Sequence, residues 1–359
     1  QSFRCWKRRS PRRKVDLNGE IGMDFELTKA QKDIQKAAFE FAKGEFDKEL
    51  ALELEAKHEF PTEIWQKACE EGFVGLHFPD EYGGSDYGCL ENALVVEEFC
   101  RRDSGIGAAM MIADFATENV LNYGTDEQKA KYLTPVAEGK GISGGAITEP
   151  DHGSDITSMN TTAVRDGDEY VINGVKTFIT NAGIATYYVT ICQTDPEARH
   201  KGQSMIVVEA DRPGVEIASV GDKMGLRMIP TGEVSFKDVR VPVSNLLGKE
   251  GKGFYQILEF FDESRIEVAA QGLGNAQGAF DRALAYVKGR EQFGQKIAKF
   301  QATQHKLADM ATKIETTRLL VYKAAWQVDQ GKMDPKTTAM AKFWAGRTAV
   351  EVCDEAIQL

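Results

Sequence analysis

The hydrophobic period changes twice along the chain, and this constrains the fold more than any other feature. Residues 25–140 mostly carry apolar side chains at helical spacing. From about 141 the pattern turns to apolar runs and alternation, punctuated by Gly202, Asp211, Pro213 and Gly214. Helical spacing returns from 254 to the end. Helices, then strands, then helices predict an α+β fold with an N-terminal helical domain, a middle β domain and a C-terminal helical bundle. The expected boundaries are 23–140, 141–248 and 249–359. A chain of 359 residues has the length for two or three packed units.

Within this frame a helix is predicted from Thr28 to about Leu54. Pro61 suits the first turn of the next, and others cover 90–101 and 107–123, with Gly124 as a stop. Asn173-Gly174, between the apolar runs 170–172 and 175–179, predicts a hairpin with a type I′ turn. Further strands are expected at 187–192, 204–208, 215–220 and 233–241, and helices at 254–290, 301–330 and 336–359. Gly272-Leu273-Gly274 with Gly278 lacks the GxGxxG spacing and follows a helical pattern, so these glycines predict close helix packing and no dinucleotide loop. The last helix has no stop signal at Ile357-Gln358-Leu359, so the chain is expected to continue.

Charge and cysteine usage narrow the function classes. The net charge of -11 argues against nucleic acid as the main partner. Residues 1–22 carry the opposite sign, with a net of +5. They suit a targeting arm poorly and read as a basic extension upstream of a native start at Met23. No run approaches the roughly eighteen apolar residues of a membrane span, so no membrane insertion is expected. Cys5, Cys69, Cys89, Cys100, Cys192 and Cys353 form no CxxC pair, and no HExxH occurs. Neither a disulfide framework nor a metal is expected, and a cytoplasmic location fits.

Two polar stretches carry the chemistry: Thr148-Glu149-Pro150-Asp151-His152-Gly153-Ser154-Asp155 and Asn173-Gly174-Val175-Lys176-Thr177-Phe178-Ile179-Thr180-Asn181. They put hydroxyls on or beside strands, where a flat aromatic ligand could lie. Singly, Thr148, Ser154 and Thr180 read as turn formers or strand surface. Jointly, the stretches resemble the TEP-x-x-GSD and NG-x-K-x-[WF]-IT-N segments of the acyl-CoA dehydrogenase family. Met224-Gly225-Leu226-Arg227 with Val241-Pro242, Arg290-Glu291-Gln292-Phe293-Gly294 with Phe300-Gln301-Ala302, and Phe78-Pro79-Asp80-Glu81-Tyr82-Gly83-Gly84 resemble three more of its segments. The resemblance spans about 23–359.

The resemblance implies an FAD enzyme that desaturates an acyl-CoA thioester between its α and β carbons. A carboxylate takes the α proton, and hydride leaves the β carbon for the flavin. It implies that Thr148 bonds the flavin pyrimidine edge, Phe178 packs on the isoalloxazine and the Thr180 hydroxyl lies near N5. Arg290 and Phe293, with Gln358 nearby, would hold the pyrophosphate and adenine of a neighbouring subunit's FAD, which implies a homotetramer. Ser154, Asp262 and Arg265 would contact the CoA arm. An electron-transfer flavoprotein would take the electrons.

The base is the open question. Most of the family use a Glu in a Y-E-G motif near the C-terminus, beyond Leu359 here. A minority place a Glu just before the arginine that matches Arg265, where this chain has Ser264. Asp114 falls on the expected helix lining the acyl pocket, with Met111 sharing its face and Phe115 about a quarter-turn away. Spacing alone reads Asp114 as a solvated helix residue. The family's fatty-acyl enzymes generally have neutral residues there; its cyclohexane- and cyclohexene-carboxyl-CoA dehydrogenases have an aspartate base, which this chain resembles. A straight short-chain enzyme using the C-terminal Glu, and a flavin- or acyl-CoA-binding protein without dehydrogenase activity, stay open beside that reading.

Overall fold

A computed structural model describes residues 26–359; the basic segment 1–22 and Met23 lie outside the described residues. The element order is α1 (Lys29–Glu45), α2 (Lys48–Lys57), α3 (Thr62–Glu70), α4 (Cys89–Arg102), α5 (Ser104–Met111), α6 (Thr117–Tyr123), α7 (Asp126–Tyr132), α8 (Thr134–Ala137), then strands β1 (Ser143–Ala146), β2 (Thr162–Asp166), β3 (Glu169–Thr180), β4 (Tyr187–Gln193), β5 (Gln203–Glu209), β6 (Val215–Ser219) and β7 (Thr231–Pro242). After these come α9 (Gly253–Gly289), β8 (Glu291–Gln292), β9 (Gln295–Lys296), α10 (Gln301–Asp329) and α11 (Pro335–Gln358). No described helix is long and apolar enough to cross a membrane. Two compact units result: one of 26–51, Ser85–Ala108 and Glu263–Leu359, the other of Leu52–Gly84 and Ala109–Asp262.

The first unit is helical. Thr28 and Gln31 form a reciprocal capping box that starts α1. The single helix expected from Thr28 to Leu54 is two, because the chain leaves α1 at Phe46. That ring is 2% exposed and lies edge-on to Phe99 at 5.3 Å. Asp47 then accepts from the amides of Glu49 and Leu50 and starts α2. Helix α4 packs on α1 and α10, and α10 on α11. A Cβ on Gly274 would stand 2.4 Å from the Glu97 carbonyl oxygen, so only glycine lets α9 approach the α4 backbone there. Glu97 itself is buried, and its carboxylate accepts from Arg318 at 3.0 and 3.2 Å and from the Tyr322 hydroxyl at 2.7 Å.

The second unit is built on a seven-stranded sheet ordered β1-β4-β2-β3-β7-β6, with β5 antiparallel on β4. Tyr170, Ile172, Ile179, Tyr188, Ile206, Val234, Phe236 and Val241 fill its core. The hairpin expected at Asn173-Gly174 is absent, and β3 runs through both residues. The register against β7 slips between Ile172 and Gly174, and the extra residue lies in β7, where Lys237 and Asp238 (φ +51°) stand opposite Asn173. The Asn173 side chain exchanges hydrogen bonds with Asp238, and a Cβ on Gly174 would meet Thr161 Oγ1 at 2.4 Å. The turn lies earlier, at the two-residue loop Gly167-Asp168 between β2 and β3.

Candidate functional site

The two motif stretches are locked together by a buried ion pair. Lys176 Nζ donates to Glu149 Oε1 at 2.9 Å and to the Ile147 carbonyl at 3.0 Å; its side chain is fully buried. Glu149 also accepts from the amides of Asn160 at 2.6 Å and Thr161 at 2.9 Å. With burial opposed by Lys176 and those donors, the carboxyl stays below its ordinary range. The Thr177 amide donates to the Thr148 carbonyl at 2.8 Å, so the Thr148 segment lies beside β3. Sequence reasoning passed over Glu149 and Lys176. A legible signal existed: two-residue steps from Ile172 through Gly174 put Lys176 on the inward face, where a lysine needs a partner.

Beyond Lys176 β3 itself bulges, with a register shift against β7 between Lys176 and Ile179. Phe178 sits in this bulge with φ +56° and its ring 67% exposed. A left-handed backbone under an aromatic residue is strained, and the sheet holds it in place. Thr180 follows, half-buried and in register with Thr231. The end of β3 therefore carries an exposed aromatic ring and, two residues on, a half-buried threonine.

The end of β3 is tied to the segment carrying Asp114. The helix expected over 107–123 is broken, because α5 ends at Met111 and α6 begins at Thr117, with Ala116 at φ +74° between them. Carbonyl groups freed by the break find donors from the β region. Ile112 accepts from Asn181 Nδ2 at 2.7 Å, Ala113 from the Ser143 amide at 3.0 Å and Phe115 from Ser143 Oγ at 2.9 Å. Asn181 Nδ2 also donates to the Ser143 carbonyl at 2.8 Å. Asp114 thus lies in a turn, and the shared helix face expected for Asp114 and Met111 does not exist. Its carboxylate is half-buried and accepts from the Gly75 amide at 3.2 Å. Burial pushes its carboxyl up to about 6, against the opposing pull of the Gly75 hydrogen bond. Phe115 turns its ring edge-on to Phe260, 5.2 Å away.

Three comparisons bear on this arrangement. Residues 28–140 match the acyl-CoA dehydrogenase N-terminal domain, 144–239 the middle domain and 251–359 the C-terminal domain. The chain belongs to the acyl-CoA dehydrogenase family. A probable acyl-CoA dehydrogenase of Bacillus subtilis is 43% identical over 94% of this chain and 89% of its own. The solved butyryl-CoA dehydrogenase of Megasphaera elsdenii superposes with TM-score 0.88 at 38% identity, covering 94% of this chain and 89% of that one. A chain from the structure of the electron-transferring flavoprotein of Acidaminococcus fermentans does so with TM-score 0.90 at 43% identity, over 94% and 88%.

The family is one of FAD-dependent oxidoreductases acting on CH–CH groups, and FAD is the cofactor. The donor set at β3 fits a flavin: an exposed ring on a strained bulge, the Thr180 hydroxyl beyond it and Thr148 on the adjoining segment suit a flat aromatic ligand with a polar edge. Asp114, Met111, Phe115, Thr148, Ser154, Phe178, Thr180 and Asp262 all belong to the second unit. Ser154 is exposed two residues beyond the turn that the Glu149 and His152 backbones close, and Asp262 is half-buried on α9. Arg265, Arg290, Phe293 and Gln358 belong to the first unit. Arg290 is exposed at the foot of a small hairpin, β8–β9, which sequence reading missed. Phe293 and Gly294 form its tip, both with positive φ, as a type I′ turn requires, and Phe293 is 93% exposed. Gln358 is exposed in the last turn of α11, and Arg265 half-buried on α9.

Proposed function

We propose that this acyl-CoA dehydrogenase desaturates an alicyclic acyl-CoA and that Asp114 is its base. The observation that carries the reading is the half-buried Asp114 carboxylate. It is held out of the helix register by a break whose carbonyls bind Ser143 and Asn181, one residue from Thr180. A carboxylate in such surroundings is costly unless it has work to do. Its proton affinity, near pH 6, suits a group that must be ionised before turnover and accept a proton during it.

The chain's residues divide the work. Asp114 removes the α proton, and the Gly75 amide keeps its oxygen aimed. Phe178 offers its exposed ring to the isoalloxazine face, Thr180 its hydroxyl to the N5 region and Thr148 a polar contact to the pyrimidine edge. A bound FAD would supply the acceptor for the hydride leaving the β carbon, so the substrate would lose one proton and one hydride. Ser154, Asp262 and Arg265 take the CoA arm. Arg290 and Phe293 on their exposed hairpin, with Gln358, hold the dinucleotide end of a neighbouring subunit's FAD, which makes the assembly a homotetramer. An electron-transfer flavoprotein in the cytoplasm would be the electron acceptor.

The test is anaerobic bleaching of the flavin absorbance by cyclohexane- and cyclohexene-carboxyl-CoA against butyryl-CoA. Faster bleaching by a cyclic substrate, lost in Asp114→Asn with FAD still bound, is expected. Bleaching by butyryl-CoA alone would return the reading to a short-chain enzyme with its base elsewhere. The similarity to butyryl-CoA dehydrogenase favours that second reading. An FAD-free, colourless protein that still binds acyl-CoA would favour a non-redox binder.

A further inference from the structure

The loop that holds Asp114 is itself held. Gly75 donates its amide to Asp114 Oδ2, and two residues later His77 places Nε2 3.8 Å from Glu118 Oε1. Glu118 follows Asp114 by four residues, in the first turn of α6. The His77 side chain is 13% exposed and that of Glu118 7%. Neither ring nitrogen of His77 has a hydrogen-bond partner among the described residues, although both are buried. The ring meets Phe78 edge-on at 4.8 Å, and Phe78 is fully buried. The turn 75–77 thus faces the turn 114–118 at two points: a backbone N–H on the Asp114 carboxylate, and an imidazole beside the Glu118 carboxylate.

We infer that His77 is a positioning residue for Asp114, with Glu118 as its anchor. The inference rests on the reading of Asp114 as the base. Burial pushes the His77 imidazole down to about 4, so the ring is neutral in the working range and carries one N–H. A slide of less than about 1 Å turns its contact with Glu118 into a hydrogen bond. That contact fixes the far end of the loop and with it the direction of the Gly75 amide. Among the described residues, Cys69 on α3 feels Asp114 and Tyr187 on β4 feels both Asp114 and Glu118; burial pushes both groups up and keeps them neutral. The Gly75 amide is then the main donor that opposes burial at Asp114, and loosening it raises the carboxyl's proton affinity.

The test is the pH profile of kcat for the FAD-loaded enzyme in His77→Leu, His77→Gln, Glu118→Gln, the double variant His77→Leu/Glu118→Gln and Asp114→Asn. His77→Leu and Glu118→Gln are each expected to move the acid limb upward by roughly half to one pH unit with KM for acyl-CoA unchanged. The double variant is expected to move it no further, since both changes break one contact. His77→Gln, which keeps a donor, is expected to stay near the parent. Unmoved limbs, or shifts that add in the double variant, overturn the inference. Should His77→Leu fail to bind FAD, the Glu118→Gln profile decides alone, and an unmoved limb overturns the inference. Turnover retained by Asp114→Asn would instead sink the base assignment, a result separable from any His77 outcome.

Discussion

Replacing Asp114 by asparagine should stabilise the protein while abolishing turnover. The carboxyl binds its proton at about 6 in the folded protein, against 3.8 for an ordinary aspartate. Between those values the native state holds a proton that the unfolded chain has released, so stability falls as pH rises. Above about 6 the loss is complete and constant. At about 1.4 kcal/mol per unit, ionised Asp114 costs at most roughly 3 kcal/mol at pH 8 and about half of that at pH 5. These are upper figures, because the side chain is partly open to solvent and water screens the charge. Asn keeps the shape and an acceptor for the Gly75 amide but never ionises, so the gain should grow from pH 5 to pH 8. Urea unfolding of parent and variant at both pH values, followed by tryptophan fluorescence, measures the difference. A solvated helix aspartate would show no gain at either pH. A destabilised variant, or a gain independent of pH, would refute the reasoning.

Other outcomes follow from the same geometry. Lys176→Met should cost about 3–5 kcal/mol by stranding the Glu149 carboxylate, and pairing it with Glu149→Leu should recover much of the loss; chemical denaturation reads both. Phe178→Gly should relieve the positive φ, leaving apo stability level or about 1 kcal/mol higher, while FAD dissociates more readily in equilibrium dialysis. Gly274→Ala should destabilise the helical unit by roughly 1–3 kcal/mol, because its Cβ would press on the Glu97 carbonyl at 2.4 Å; a lowered Tm is the readout. Turnover by the parent should fall on acidification with a midpoint near 6, as Asp114 gains its proton.

Much of the architecture was legible in local pattern. The apolar runs at 187–192, 204–208 and 233–241 are strands because a buried sheet needs them on its inner faces, and the helical periods of α9, α10 and α11 needed no distant partner to be seen. The polar stretches around Thr148 and Thr180 could be picked out because their motif order is a property of the chain itself. Asn173-Gly174 misled, because that dipeptide has the local chemistry of a type I′ turn. Pairing with β7 keeps β3 running through it and puts the extra residue in β7, at Lys237-Asp238. The turn at Asp114 was illegible for a related reason. Residues 107–123 have the apolar content of a continuous helix, and the break exists only where Ser143 and Asn181, distant in sequence, supply donors to the freed carbonyls. Sequence determined the family motifs and their order, and the period of most elements. The fold alone decided that Asp114 leaves its helix, meets the Gly75 amide and is taken far enough from water to titrate near 6, since proton affinity depends on neighbours and burial that no local pattern encodes.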